Sequence, residues 1–274
     1  MQEATFQSFD GRKIFYRSWQ PASAPKAVVV INHGFNAHGG QQLWAAEQFV
    51  KAGFAVHALD MRGRGKSEGK RFFVRDVNEH TGDLHEMILL AKAANPGLPV
   101  YLLGHSAGGV VSCTYTLQHQ EELAGLICES FAFQLPAPGF LLSVIKFVAL
   151  FAPGLPMFKL KMKDFSRDPQ AVADLLADPL TKDEAQPAAT GRALVLAAEH
   201  LRVSFDKIVL PVLILHGTAD HATMYQGSQF FFDHAGSSDK TIKLYEDHYH
   251  DLLNDYGKDD VMADIVSWID ARLK

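Results

Sequence analysis

Residues Val100 to Gly109 read Val-Tyr-Leu-Leu-Gly-His-Ser-Ala-Gly-Gly, an apolar strand-like run that meets the pattern Gly-x-Ser-x-Gly. The spelling describes a shape. A buried strand ends, the chain turns sharply, and a helix begins at Ser106. Gly104 and Gly108 allow a tight turn and let neighbouring strands approach. Ser106 then sits at the tip with its hydroxyl presented. Its backbone lies at a helix N-terminus, where unpaired N–H groups favour negative charge. Such a pattern also arises by chance, so its surroundings decide what it means.

With 274 residues, the chain can form one large α/β domain with an insertion, or two small domains. Its hydrophobic content of 47% and charged content of 21% are those of a soluble globular protein. The net charge of −5 gives no electrostatic case for nucleic acid. The two cysteines, Cys113 and Cys128, are too few for a disulfide scaffold and lie in apolar stretches, as buried free thiols do. That fits a reducing compartment, so a cytoplasmic location is expected. Glu3 and Asp10 interrupt any apolar N-terminal run, which argues against a secretory signal peptide. The most lipid-like segment, Phe140 to Pro153, contains Lys146 and falls short of the roughly 20 residues needed to span a bilayer.

Phe6–Phe9, Asp10-Gly11 and Lys13–Trp19 predict a β-hairpin. Continuous apolar runs predict strands at Ala27–Ile31, Phe54–Leu59, Val100–Leu103, Leu123–Cys128 and Val212–Leu215, with another at Thr241–Tyr245. Helical spacing is found at Gln42–Ala52, Asn78–Ala94, Ser106–His119 and Val261–Leu273. Strand and helix alternate before residue 130 and after residue 210, so an α/β fold with a mostly parallel eight-stranded sheet, covered on both faces, is expected. Residues 131–206 break the alternation with seven prolines and helical pieces between them. They are expected to form a helical cap inserted into a core made of residues 1–130 and 207–274.

A serine hydroxyl becomes a nucleophile only when a base takes its proton, and the base needs a third group to orient it. On a sheet with this serine turn, the partners follow in the order Ser, then Asp or Glu, then His, each after a strand. Val212–Asp220 reads as a strand ending in Gly217 with Asp220 in the loop beyond, at the sheet edge where open α/β sheets build sites. Leu244–Asp251 supplies the base, and His248 and His250 both fit the spacing. An oxyanion needs two fixed N–H donors. Ala107 offers one, and Phe35, in the loop Asn32-His-Gly-Phe-Asn-Ala-His-Gly39, offers the second.

Two other patterns are set aside. Gly65-Lys66-Ser67 resembles the tail of a phosphate-binding loop, but position 60 is Asp where that motif needs Gly. Thirteen histidines include no helical His-x-x-x-His pair, so neither a metal nor another cofactor is expected.

Together these residues resemble the monoacylglycerol lipase and lysophospholipase-like branch of the α/β-hydrolase serine hydrolases. The resemblance runs from Phe9–Arg17 and His33-Gly34 through Asp60–Ser67, Gly104–Gly109, Ser166–Pro169 and Asp178–Leu180 to Tyr245–His250. Two positions depart from the branch: Ala107 where methionine is usual, and Phe35 where a small residue is common. The resemblance implies the base is the second histidine, His250. It implies a cofactor-free esterase that cleaves acyl monoesters through Ser106, Asp220 and His250. The apolar stretch that includes Phe131, Phe133, Leu141 and Ile145 reads either as cap core packed on the sheet or as a surface that lines an acyl site and touches a membrane peripherally. Medium or long acyl chains would be preferred. The alternatives are another triad hydrolase (a peptidase or a C–C hydrolase) and a non-catalytic ligand-binding protein on the same fold. A dehalogenase or epoxide hydrolase would carry Asp at the position of Ser106.

Overall fold

The computed structural model describes residues 1–182 and 184–273. Among these described residues, eighteen strands and α-helices follow one another. In order they are β1 (Gln2–Gln7), β2 (Lys13–Trp19), β3 (Ala27–Asn32), α1 (Leu43–Lys51), β4 (Phe54–Leu59), α2 (Val77–Ala94), β5 (Val100–His105), α3 (Ala107–His119) and β6 (Gly125–Glu129). Then come α4 (Gly139–Phe151), β7 (Pro156–Phe158), α5 (Pro169–Ala177), β8 (Gln186–Pro187), α6 (Ala188–Arg202), β9 (Val212–Gly217), α7 (Tyr225–His234), β10 (Lys240–Tyr245) and α8 (Lys258–Asp270). Eight strands form one sheet in the order β1-β2-β4-β3-β5-β6-β9-β10. The pairs β1–β2 and β2–β4 are antiparallel and the remaining five are parallel.

Side-chain alternation explains why the central strands read as unbroken apolar runs. Val28, Val30, Leu102, Leu126 and Ile214 point to one face, where α2, α3 and α6 pack. Val29, Ile31, Leu103, Ile127 and Leu213 point to the other, against Phe49 of α1 and Ile265 of α8. With both faces covered, no strand position needs to be polar. α2 starts on a capping box. The Asp76 side chain accepts from Asn78 N–H, and Glu79 reaches back to the Asp76 N–H, worth about 1 kcal/mol.

Two expectations need adjustment. The first strand begins at Gln2 and ends at Gln7, so Phe9 lies in the turn and is exposed. The sequence reading also placed no helix between residues 216 and 240, where α7 forms. Its run Phe230-Phe231-Phe232 lacks helical periodicity, and only Phe231 is buried in the core. Within residues 131–206, α4 packs on α6, and β7 pairs with β8 in a separate two-stranded ribbon. Leu194, Ala197 and Leu201 of α6 belong to the same apolar cluster as the sheet, so this helix is anchored on the core. Among the described residues, no helix is long and apolar enough to cross a membrane.

Candidate functional site

β5 ends at His105 and α3 begins at Ala107, leaving Ser106 to make the whole turn at φ 54°, ψ −121°. A side-chain-bearing residue holds such a positive φ at a cost of about 1–3 kcal/mol. The turn is pinned on both sides. Ser106 N–H donates to the Glu129 carbonyl at 2.9 Å, and the Ser106 carbonyl accepts from Gly109 and Ala132 N–H at 3.0 and 3.1 Å. Gly108 has no substitute, since a Cβ there would lie 2.2 Å from the Asn32 carbonyl oxygen.

His250 arrives on the loop after β10, fully buried, with Nε2 at 2.9 Å from Ser106 Oγ. Its Nδ1 lies 2.7 Å from Asp220 Oδ2, so Nδ1 carries the proton and Nε2 accepts from the serine. Phe165 and His105 pack on the imidazole with ring centroids at 4.8 and 5.0 Å. His248 does not enter the site. It is half-buried, and its Nδ1 faces the Glu246 carbonyl at 2.9 Å.

Asp220 is surrounded by donors. Oδ1 accepts from Ala222 and Thr223 N–H at 2.7 and 2.9 Å, and Oδ2 accepts from Thr223 Oγ1 at 2.7 Å and His216 Nε2 at 3.0 Å. Burial alone would raise this carboxyl. The positive charge available on His250 and the hydrogen bonds from His216 and His250 outweigh it and hold the group far below the ordinary carboxylate range. Burial keeps His216 in its neutral form, its Nδ1 facing Ser228 Oγ at 2.7 Å. His216, Thr223 and Ser228 were not picked out as parts of this site from the sequence. The available signal was a histidine interrupting the apolar run of β9.

Ala107 opens α3, so its N–H is one of the helix's free donors. The loop after β3 runs alongside: a Cβ on Gly34 would lie 3.1 Å from Ser106 Cβ. Phe35 follows, its ring under the Arg64 guanidinium at 4.6 Å. The space directly above Ser106 is small, about 10 Å³, walled by Phe35, His105, Leu160, Phe165 and Leu175. A larger apolar cavity of about 250 Å³ opens between α4, α6 and the loop after β6, lined by Phe133, Leu135, Leu142, Ile145, Phe158 and Leu194. Of the four residues singled out in the sequence for an acyl site, Phe133 and Ile145 line it. Phe131 is fully buried against Phe133, Phe205 and Phe231, and Leu141 is 40% exposed on the outer side of α4.

Among the described residues, one group of three carries donor atoms within 4.8 Å of one another: His105, Glu129 and Asp251. Both Glu129 oxygens are already engaged, by His105 and by Leu252 N–H.

The family profile described as "Serine aminopeptidase, S33" matches residues 23–257. A monoacylglycerol lipase of Mycolicibacterium smegmatis is 33% identical over 99% of this chain and 98% of its own length. The human monoglyceride lipase is 30% identical over 96% of this chain and 88% of its own. The crystal structure of Paleococcus ferrophilus monoacylglycerol lipase superimposes with a TM-score of 0.86 at 30% identity, covering 94% of this chain and 99% of that one. The chain therefore belongs to this serine aminopeptidase-type family of α/β-hydrolases and is a hydrolase of the esterase and lipase kind.

Proposed function

We propose that the chain hydrolyses monoacyl esters, monoacylglycerols foremost, by way of an acyl-enzyme on Ser106. The observation that carries this reading is the continuous line of short contacts from Asp220 Oδ2 through His250 to Ser106 Oγ, at 2.7 and 2.9 Å. His250 takes the serine proton as Oγ attacks the ester carbonyl. Asp220, kept ionised by its donors, holds the imidazole in the productive tautomer and stabilises its charged form. The N–H groups of Ala107 and Phe35 hold the tetrahedral oxyanion. His250 then protonates the departing alcohol, and water resolves the acyl-enzyme by the same steps in reverse order. No step calls for a metal or an organic cofactor.

The acyl chain is assigned to the apolar cavity floored by Phe133 and Ile145. Ala132, which also lines this cavity, donates its N–H to the Ser106 carbonyl at 3.1 Å and so ties one cavity wall to the nucleophile turn. Residues 131–206 serve as the cap over that path. On the outside of α4, Phe140, Phe147 and Phe151 are 72, 63 and 76% exposed, a patch suited to resting on a lipid surface. A second reading, peptidase activity, is favoured by the name of the matching family.

The test is a panel of p-nitrophenyl esters from acetyl to palmitoyl, monoacylglycerols and aminoacyl anilides, with Ser106→Ala as control. Ester turnover rising with chain length, and abolished in a folded Ser106→Ala, is expected. Ester turnover that survives the substitution would sink the assignment, and turnover of anilides alone would establish the second reading.

A further inference from the structure

Glu129 closes β6 and is 1% exposed, a carboxylate in the middle of the molecule. Its contacts connect the two loops that carry Ser106 and His250. Oε2 accepts from Nδ1–H of His105, the residue before the nucleophile, at 2.7 Å. Oε1 accepts from Leu252 N–H, two residues beyond His250, at 2.7 Å. Its backbone carbonyl accepts from the N–H of Ser106 itself at 2.9 Å. Besides the reacting hydrogen bond, the serine turn and the histidine loop also meet where the His105 ring packs on that of His250, at 5.0 Å between centroids.

We propose that Glu129 is a positioning residue, whose two carboxylate oxygens clamp the nucleophile turn to the histidine loop and thereby set the Ser106–His250 separation. The proposal rests on the reading of Ser106 and His250 given above. Around the clamp lie His105, Asp251, Asp220, His250 and His33. Burial would strip the proton from His105, yet the Glu129 carboxylate, helped by Asp251 and Asp220, pushes it up to about 9. The His105 imidazolium is therefore a fixed donor at neutral pH, and both arms of the clamp are made.

The chemistry of the side chain separates geometry from charge. In Glu129→Gln the amide oxygen still accepts from Leu252 N–H, while the amide NH2 donates to Nδ1 of a neutral His105. Both arms persist without the ion pair. Glu129→Ala removes both arms, and Glu129→Asp, one methylene shorter, reaches only one of them.

Wild type and the three variants are compared for kcat and KM on a p-nitrophenyl ester, with folding checked by circular dichroism and thermal melting. The expected result is a kcat lower by roughly tenfold to a hundredfold in Glu129→Ala, an intermediate loss in Glu129→Asp, KM within about twofold throughout, and recovery to within a few-fold of wild type in Glu129→Gln. Should Glu129→Ala fail to fold, the Asp and Gln variants decide. Wild-type kcat in folded Glu129→Asp, or a Glu129→Gln as impaired as Glu129→Asp, overturns the clamp. Ester activity that persists in Ser106→Ala would refute the underlying catalytic reading, an outcome distinct from either.

Discussion

Gly217 is the last residue of β9, and a single methyl group there is expected to disable the site from a distance. A Cβ at this position would lie 2.2 Å from the carbonyl oxygen of His248 and 2.6 Å from that of Tyr249, where ordinary contact begins at 3.4 Å. About 1.2 Å of movement is therefore needed, the difference between 3.4 and 2.2 Å. The strand cannot readily supply it, because all six β9 residues are buried and paired with β10, and Val212–Leu215 are paired with β6 as well. The histidine loop must move, and His250 is two residues along it. A shift of that size takes the His250–Ser106 contact from 2.9 Å to about 4 Å, outside hydrogen-bond range. A misplacement of this order costs roughly 100-fold in rate. The overpacking itself costs about 1–3 kcal/mol of stability. Gly217→Ala is thus expected to remain folded with a lowered melting temperature, an acyl-binding KM close to wild type and a kcat reduced about 100-fold. Steady-state kinetics on a p-nitrophenyl ester with parallel calorimetry measures all three. A folded variant with kcat within a few-fold of wild type would show that the loop's position is not what Gly217 secures.

Two further outcomes are expected. Ser106→Gly removes the strain of a positive φ that Ser106→Ala retains, so the glycine variant should melt higher than the alanine variant by the equivalent of about 1 kcal/mol or more, and equal melting temperatures would contradict the strain. His105 has a folded-state value raised from 6.5 to about 9, so its contribution is complete below 6.5 and is lost as pH rises through 9. The span corresponds to about 3 kcal/mol. Melting temperature should fall along this alkaline limb, and Glu129→Gln, with His105 already neutral, should flatten it. Parallel slopes in the two proteins would show that His105 is not the titrating group.

The fold was legible where burial on two faces left no room for polar residues. Ala27–Ile31 and Phe54–Leu59 are strands because each side chain meets a helix layer. The serine turn was legible because Gly108 has the Asn32 backbone against it. The histidine was not legible from spacing, since His248 and His250 are both within five residues of β10. What separates them is three-dimensional: the His248 carbonyl sits over Gly217 and its ring lies against Tyr245, while the ring of His250 reaches Ser106 and Asp220. Glu129 and His216 were not assigned to the site because a polar residue near a strand end has no meaning until the strand order places β6 beside β5 and β9 beside β6. Leu141 illustrates a different limit. Apolar character predicts what can be buried, and α4 has apolar residues on more than one side, so sequence alone does not say which of them faces the cavity.

The room above Ser106 is about that of a single water molecule. On the proposed reading of residues 131–206 as a cap, an acyl ester would be admitted only by those molecules whose cap stands further off, and the dissociation constant measured in solution would be the intrinsic one divided by their fraction. Were that fraction about one in a hundred, apparent binding would be weakened a hundredfold with every contact in the acyl cavity intact. A surface that holds α4 by its exposed phenylalanines and favours the open population would recover the difference without altering anything at Ser106. Activation at a lipid interface would then be a change in how many molecules are competent, with the catalytic rate of each left as it was.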